Sequence, residues 1–216
     1  MKIKSLFFDF DGIIADSVGC KTEAFRDIYL PYGEEIASKV VDHHLKNGGI
    51  SRFEKFVTYH ADFLGKTISQ NELNNLCEKF SSLVIDKVIE SKEINGFSEF
   101  IRLHGKKFNK WIITGTPTTE IINILKRRNM DDIFVDAFGS PEKKGYWTEQ
   151  IIKNYNLNRD EIVFLGDAKA DFEASQASGL KFILHRSEAS GKYFDDKQFT
   201  EMNDYHDLWN ILNNFK

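Results

Sequence analysis

Residues 4–12 read KSLFFDFDG. The run from Lys4 to Phe10 is short, apolar and aromatic and stops at Asp11-Gly12, which is the pattern of a buried strand ending in a turn. From about Asp16 to Glu90 the pattern changes. Leu, Ile, Val and Phe recur three and four residues apart, as in Phe53, Phe56, Val57 and His60, then Leu73, Leu76, Phe80, Leu83 and Val84. That spacing predicts several amphipathic helices and no strand, interrupted by the turn signal Asn47-Gly48-Gly49. After Asn95-Gly96 strands and helices alternate. Helices are expected over 97–104, 118–128, 146–155 and 171–178, and strands over 110–114 (KWIIT), 133–138, 161–165 (EIVFL) and 181–184. A terminal helix is expected from about Tyr205, after a weakly patterned stretch that begins at Ser190.

This rhythm predicts an α/β fold, a doubly wound parallel sheet with helices on both faces. The first strand has no strand near it in sequence, so it is expected to join the same sheet. The helical stretch is then an inserted all-helical cap, over 17–92, between core segments 1–16 and 93–216. A chain of 216 residues, 41% hydrophobic with nineteen Phe, can bury a sizeable core. A net charge of −4 gives no global attraction to nucleic acid or to an anionic membrane surface. No apolar run approaches the ~20 residues of a membrane-spanning helix, and the N-terminus lacks the pattern of a signal peptide. Cys20 and Cys77 stand far apart without metal-site spacing, as expected of free thiols in the cytoplasm.

Polar residues end three of the predicted strands: Asp9-Phe10-Asp11-Gly12, Thr114-Gly115-Thr116, and Gly166-Asp167 with Asp171 four positions on. Ligands bind at the carboxyl ends of strands in open parallel sheets, so these groups are expected to converge. Asp9 and Asp11, two residues apart, point to the same side of a strand. Asp167 joining them makes an anionic cluster that needs a cation. Carboxylates, backbone carbonyls and water suit Mg²⁺, with no need of His or Cys.

The ordered set resembles the haloacid dehalogenase superfamily over residues 1 to 185. The resemblance rests on FFDFDGIIADS (7–17), WIITGTP (111–117), GSPEKKGYW (139–147) and GDAKAD (166–171). It lies among the capped phosphatases and hexose-phosphate mutases of that superfamily, and implies a Rossmann-like core with a helical cap between the first two motifs. By this resemblance Asp9 is a nucleophile that forms an aspartyl-phosphate, and Asp11 a general acid and base. Thr114 and Gly115 hold the phosphoryl oxygens. Lys144, or its neighbour Lys143, neutralises charge on Asp9 and the phosphoryl group. Mg²⁺ is held by Asp9, the Asp11 carbonyl and Asp167, with Asp171 behind them. The second Asp favours phosphate monoesters over carbon–halogen or phosphonate bonds.

In the cap, Gly49-Ile50-Ser51-Arg52 resembles the substrate-gripping segment of the mutases, so Arg52 is expected to contact substrate. Lys21, at the entry to the cap, is expected to face the same cleft. His43-His44 is expected at the surface or in packing, and Lys106-Lys107, Lys110 and Arg127-Arg128 on solvated faces. The reading is a magnesium-dependent phosphatase acting on a small phosphorylated metabolite, a sugar or sugar-acid phosphate. The alternatives are a phosphomutase and a non-catalytic regulatory module on the same fold.

Overall fold

The computed structural model describes residues 2–186, 192–195 and 198–215. Its strands are β1 (Ser5–Phe8), β2 (Asn109–Pro117), β3 (Asp136–Ser140), β4 (Ile162–Gly166), β5 (Lys181–His185) and β6 (Thr200–Met202). They form one sheet in the order β3-β2-β1-β4-β5-β6, and every pairing is parallel. Of the five α-helices between β1 and β2, four form the inserted stretch: α1 (Val18–Tyr29), α2 (Glu34–Lys46), α3 (Arg52–Thr58) and α4 (Gln70–Glu90). The rest of the sheet alternates with α5 (Phe97–His104), α6 (Thr118–Arg127), α7 (Lys144–Asn154), α8 (Lys169–Ala177) and α9 (Tyr205–Asn214).

The central strands read as apolar runs because both faces of the sheet are covered. Leu6 and Phe8 of β1 join Val163 and Leu165 of β4 in one buried cluster, which α5, α6 and α9 complete. Phe7, Trp111, Ile113 and Phe164 face the other way and meet α7 and α8. The helices between β1 and β2 pack around aromatic rings. Phe25 lies 5.4 Å from Phe56, 5.7 Å from Tyr59 and 4.3 Å from Phe80, centroid to centroid. The chain entering these helices is bonded to the chain leaving them: Asp16 donates its N–H to the Lys92 carbonyl and Ile94 donates to Ile14, both at 2.9 Å.

The order of the strands positions the site. β2 lies on one side of β1 and β4 on the other, so the winding reverses beside β1 and leaves a crevice at the carboxyl ends. Phe8 is in register with both Ile112 and Leu165. The residues that follow these three therefore emerge at one edge.

The strand expected over 133–138 lies instead at Asp136–Ser140. Phe134 is apolar because it plugs the turn before that strand, its ring 6.0 Å from that of Phe8. β2 runs on past Thr114 to Pro117, with its register against β3 shifting between Ile113 and Pro117. Two basic residues expected on solvated faces are internal fasteners. Lys110 Nζ donates to the carbonyls of Gly105 and Phe108, at 2.7 and 2.9 Å. Arg128 donates to the carbonyls of Val88, Ile89 and Ser91 and so ties down the end of α4.

Candidate active site

Asp9 follows β1 directly, and its N–H still reaches the Leu165 carbonyl of β4 at 2.9 Å. The chain then turns at Gly12, whose φ of 75° is left-handed. A Cβ on Gly12 would stand 2.2 Å from Asp167 Oδ2, so glycine is required both for the turn and for the approach of Asp167. Asp167 follows β4, as Asp9 follows β1. Asp171 lies in the first turn of α8, where its Oδ2 accepts the Ala168 N–H at 3.2 Å.

Asp9, Asp167 and Asp171 are all buried, and each offers a carboxylate oxygen within 4.8 Å of the others. One ammonium compensates this group. Lys144 Nζ lies 2.7 Å from Asp9 Oδ2 and 2.5 Å from Asp171 Oδ1. Burial works against that charge, but Asp171 and Asp9 outweigh it and hold the Lys144 ammonium above its ordinary pKa. One cation does not balance three carboxylates. Burial, Asp9 and Asp171 push the Asp167 carboxyl well up, and burial with Asp9 raises Asp171 to about 7 against the pull of Lys144. All-oxygen donors in a dry, proton-hungry cluster fit a hard divalent cation such as Mg²⁺.

The two candidate lysines are told apart by position. Lys144 opens α7 with its side chain 4% exposed, whereas the Lys143 side chain is 79% exposed and reaches only toward Glu54, at 3.9 Å. Thr114 is buried, and its hydroxyl accepts the Thr116 N–H at 3.2 Å. Thr114, Gly115 and Lys144 line a cavity beside the cleft that holds Asp9 and Asp11. Gly49 and Ile50, in the turn before α3, line both. Gly115 has no room for a side chain, because its Cβ would come within 2.8 Å of the Gly49 carbonyl.

The Asp11 carboxylate sits apart from the other three. It accepts hydrogen bonds from Lys21 Nζ, from Ser17 Oγ at 2.5 Å and from Thr116 Oγ1 at 3.3 Å. Burial would raise its pKa, but Lys21, Ser17 and Lys144 together hold it below the ordinary value. Lys21, expected to touch substrate, thus has its ammonium on Asp11 and on Thr116 Oγ1, at 2.8 Å from the latter. Arg52, also expected to contact substrate, is held by residues of the protein. Arg52 lines the cleft, but both terminal nitrogens of its guanidinium bond Glu120 of α6, at 2.9 and 2.5 Å, and one also bonds Ser81 of α4. In this structure it ties α3 to α6 and α4. Its two terminal nitrogens and the Glu120 carboxylate match as a planar fork, the bidentate geometry that makes such pairs strong.

Sequence reasoning did not single out Glu120, His44 or Lys55 as site residues, yet His44 and Lys55 line the cleft and Glu120 holds Arg52. Lys55 carried a usable signal, since it stands one helical turn after Arg52 and so shares its face. Glu120 carried none, because its partner is 68 residues away.

Comparison with known proteins agrees with this architecture. Residues 6–185 match the family model described as haloacid dehalogenase-like hydrolase. A phosphorylated carbohydrates phosphatase of Thermotoga maritima is 23% identical over 186 residues, covering 84% of each chain. A phosphoglycolate phosphatase of Photorhabdus laumondii is 25% identical over 194 residues, covering 84% of this chain and 79% of that one. The crystal structure of a beta-phosphoglucomutase from Clostridium difficile superposes with a TM-score of 0.77 at 18% identity, covering 99% of this chain and 98% of that one. At that identity the likeness is one of fold.

Proposed function

The chain belongs to the haloacid dehalogenase-like hydrolases, and from that premise we propose that it is a magnesium-dependent phosphatase of the cytoplasm that hydrolyses a small phosphate monoester. The observation that carries the proposal is the Lys144 ammonium held between Asp9 and Asp171 in a buried carboxylate cluster at the sheet's switch point. The names of the two phosphatase relatives support a phosphorylated sugar or sugar acid as substrate. The helices over the cleft support a small one, because a polymer could not enter beneath them. The free thiols of Cys20 and Cys77 support a reducing compartment.

In this reading an Asp9 oxygen attacks phosphorus while the bond from phosphorus to the substrate oxygen breaks, giving an aspartyl-phosphate. The leaving oxygen takes a proton from Asp11, and in the second half Asp11 takes one from the water that attacks the aspartyl-phosphate. Lys21 and Ser17 favour the ionised Asp11 that the second half requires. For the first half Asp11 must hold a proton, so the Lys21 contact has to loosen when substrate enters. Lys144 offsets charge between Asp9 and the phosphoryl group, and Thr114 with the Gly115 N–H receives phosphoryl oxygens. Asp9, the Asp11 carbonyl and Asp167 would hold Mg²⁺, with Asp171 behind. The ion would supply charge neutralisation at the phosphoryl oxygens.

The test is release of inorganic phosphate from a panel of phosphorylated metabolites, with and without a chelator, by the wild-type protein and by Asp9→Asn. Release that needs added Mg²⁺ and is lost in the variant supports the reading. Chelator-insensitive release, or full activity of Asp9→Asn, overturns it.

A further inference from the structure

Four basic side chains of the cap line or border the cleft, and three of them are accounted for. Lys21 is bonded to Asp11, and Arg52 to Glu120. Lys46 is exposed at the mouth. The fourth is Lys55, one turn beyond Arg52 on α3, and it is only 2% exposed. Among the described residues its one polar partner is His44 of α2, with Lys55 Nζ 2.8 Å from Nδ1. The Phe25 ring lies below the amine, 5.6 Å away. No carboxylate of the described residues pairs with Lys55, and two of its three donors have no acceptor.

A buried ammonium without an anion is costly. Burial and the nearby Lys21 and Lys144 push Lys55 down to about 7, with only Asp11 pulling the other way. Burial together with Lys55 holds His44 well below the ordinary imidazole value, so the ring is neutral and its Nδ1 accepts. The pair is a cation site that lacks its anion, and it opens on the cleft that contains Asp9.

We infer that Lys55, seated on His44, binds a carboxylate carried by the substrate at a short distance from its phosphate group. This rests on the reading of the Asp9 cluster as the phosphoryl site. A carboxylate fits better than a second phosphate. One ammonium is available here, and a dianion among Phe25, Phe80 and Ile50 would keep an uncompensated charge. Arg52 is paired with Glu120, whereas no carboxylate of the described residues pairs with Lys55. It selects phosphorylated hydroxy acids over phosphorylated alcohols and neutral sugars of the same size.

Matched substrates test it, each pair differing in a carboxylate against a hydroxymethyl group: phosphoglycolate against 2-hydroxyethyl phosphate, and 3-phosphoglycerate against glycerol 3-phosphate. The wild-type protein should prefer the carboxylate of at least one pair by tenfold or more in kcat/KM. Lys55→Met should erase that preference, lowering kcat/KM for the carboxylate member by tenfold or more relative to the alcohol member. Equal turnover within both pairs by the wild-type protein overturns the inference. So does an equal loss on both members in the variant, or a stronger wild-type preference for a bisphosphate. If Lys55→Met does not fold, calorimetric binding of phosphonoacetate against ethylphosphonate to the wild-type protein with Mg²⁺ decides the matter. At least tenfold tighter binding of the carboxylate supports the site, and equal binding removes it. A wild-type protein that binds phosphonoacetate selectively yet releases no phosphate from any substrate would refute the phosphatase reading and leave the carboxylate site standing.

Discussion

The Arg52 guanidinium closes on the Glu120 carboxylate from across the seam between the inserted helices and the sheet, with contacts of 2.9 and 2.5 Å and both side chains under 10% exposed. Ser81 Oγ donates to the same carboxylate at 2.6 Å, and the Phe80 ring lies 4.6 Å from the guanidinium carbon. Leaving either charge alone in this setting is costly. Arg52→Met and Glu120→Leu should each destabilise the fold by about 3–5 kcal/mol. The double variant should be less destabilised than the sum of the two, because it leaves no lone charge. Denaturant titration of the four proteins measures this. Activity on an aryl phosphate and on a physiological substrate should fall together in Arg52→Met, since the residue holds cap to core. A loss confined to the larger substrate would return Arg52 to the role of a substrate contact.

Lys143 and Lys144 differ by one position and by nearly the whole range of exposure. Removing Lys144 leaves Asp9, Asp167 and Asp171 facing one another with no internal cation. Lys144→Ala should lower kcat by about a thousandfold, the scale of losing a preorganised charge in a dry site. Lys143→Ala should stay within about twofold, because an exposed ion pair to Glu54 contributes little. Steady-state rates of the two variants on one substrate separate these outcomes. A dead Lys143→Ala beside an active Lys144→Ala would contradict the geometry described here.

Much of the site was legible because it lies next to strand ends. Asp9, Thr114 and Asp167 are each marked by an apolar run that stops at a polar residue, and a parallel sheet brings such stops to one edge. Asp171 and Lys144 follow from the first turns of helices just downstream. What was not legible depends on pairs distant in sequence. Arg52 reads as a flexible loop residue beside two glycines until Glu120, 68 positions away, is known to face it. That the Lys21 ammonium meets Asp11 and Thr116 was likewise not legible, because Thr116 is 95 positions away. Ile133 and Phe134 read as strand because a buried turn and a buried strand have the same apolar composition, and periodicity over so few residues does not separate them.

Gly12 ties backbone conformation to the buried carboxylate cluster. Alanine there would be strained at φ 75° and would force its methyl against Asp167 Oδ2, 2.2 Å away. Gly12→Ala should therefore displace Asp167 more than it disturbs the core. The expected result is a protein that folds, with a rise of at least tenfold in the Mg²⁺ concentration needed for half-maximal activity and a smaller change in substrate KM. A variant with unchanged Mg²⁺ dependence would mean that Asp167 does not hold the ion.

Lys55 gives the fold a pH dependence of defined sign. In the unfolded chain its amine titrates near 10.4, and in the folded protein at about 7. The titratable groups that face it are Lys21 from α1, His43 and the neutral His44 from α2, Lys144 from α7 and Asp11 from the turn after β1. Between these two values the unfolded chain binds one more proton than the folded one. Stability therefore rises with pH across that window, by up to about 1.4 kcal/mol per unit. Below pH 7 both states are protonated, and the full penalty of the buried ammonium is present. Lys55→Met has no such proton to lose. The difference in unfolding free energy between the wild-type protein and Lys55→Met should change in favour of the wild type as pH goes from 7 to 9, and should be flat from 5.5 to 6.5. Denaturant midpoints at four or five pH values, without phosphate in the buffer, provide the curve. A difference that does not vary with pH would place an anion beside Lys55 in the resting protein, and its amine would then titrate near the ordinary lysine value.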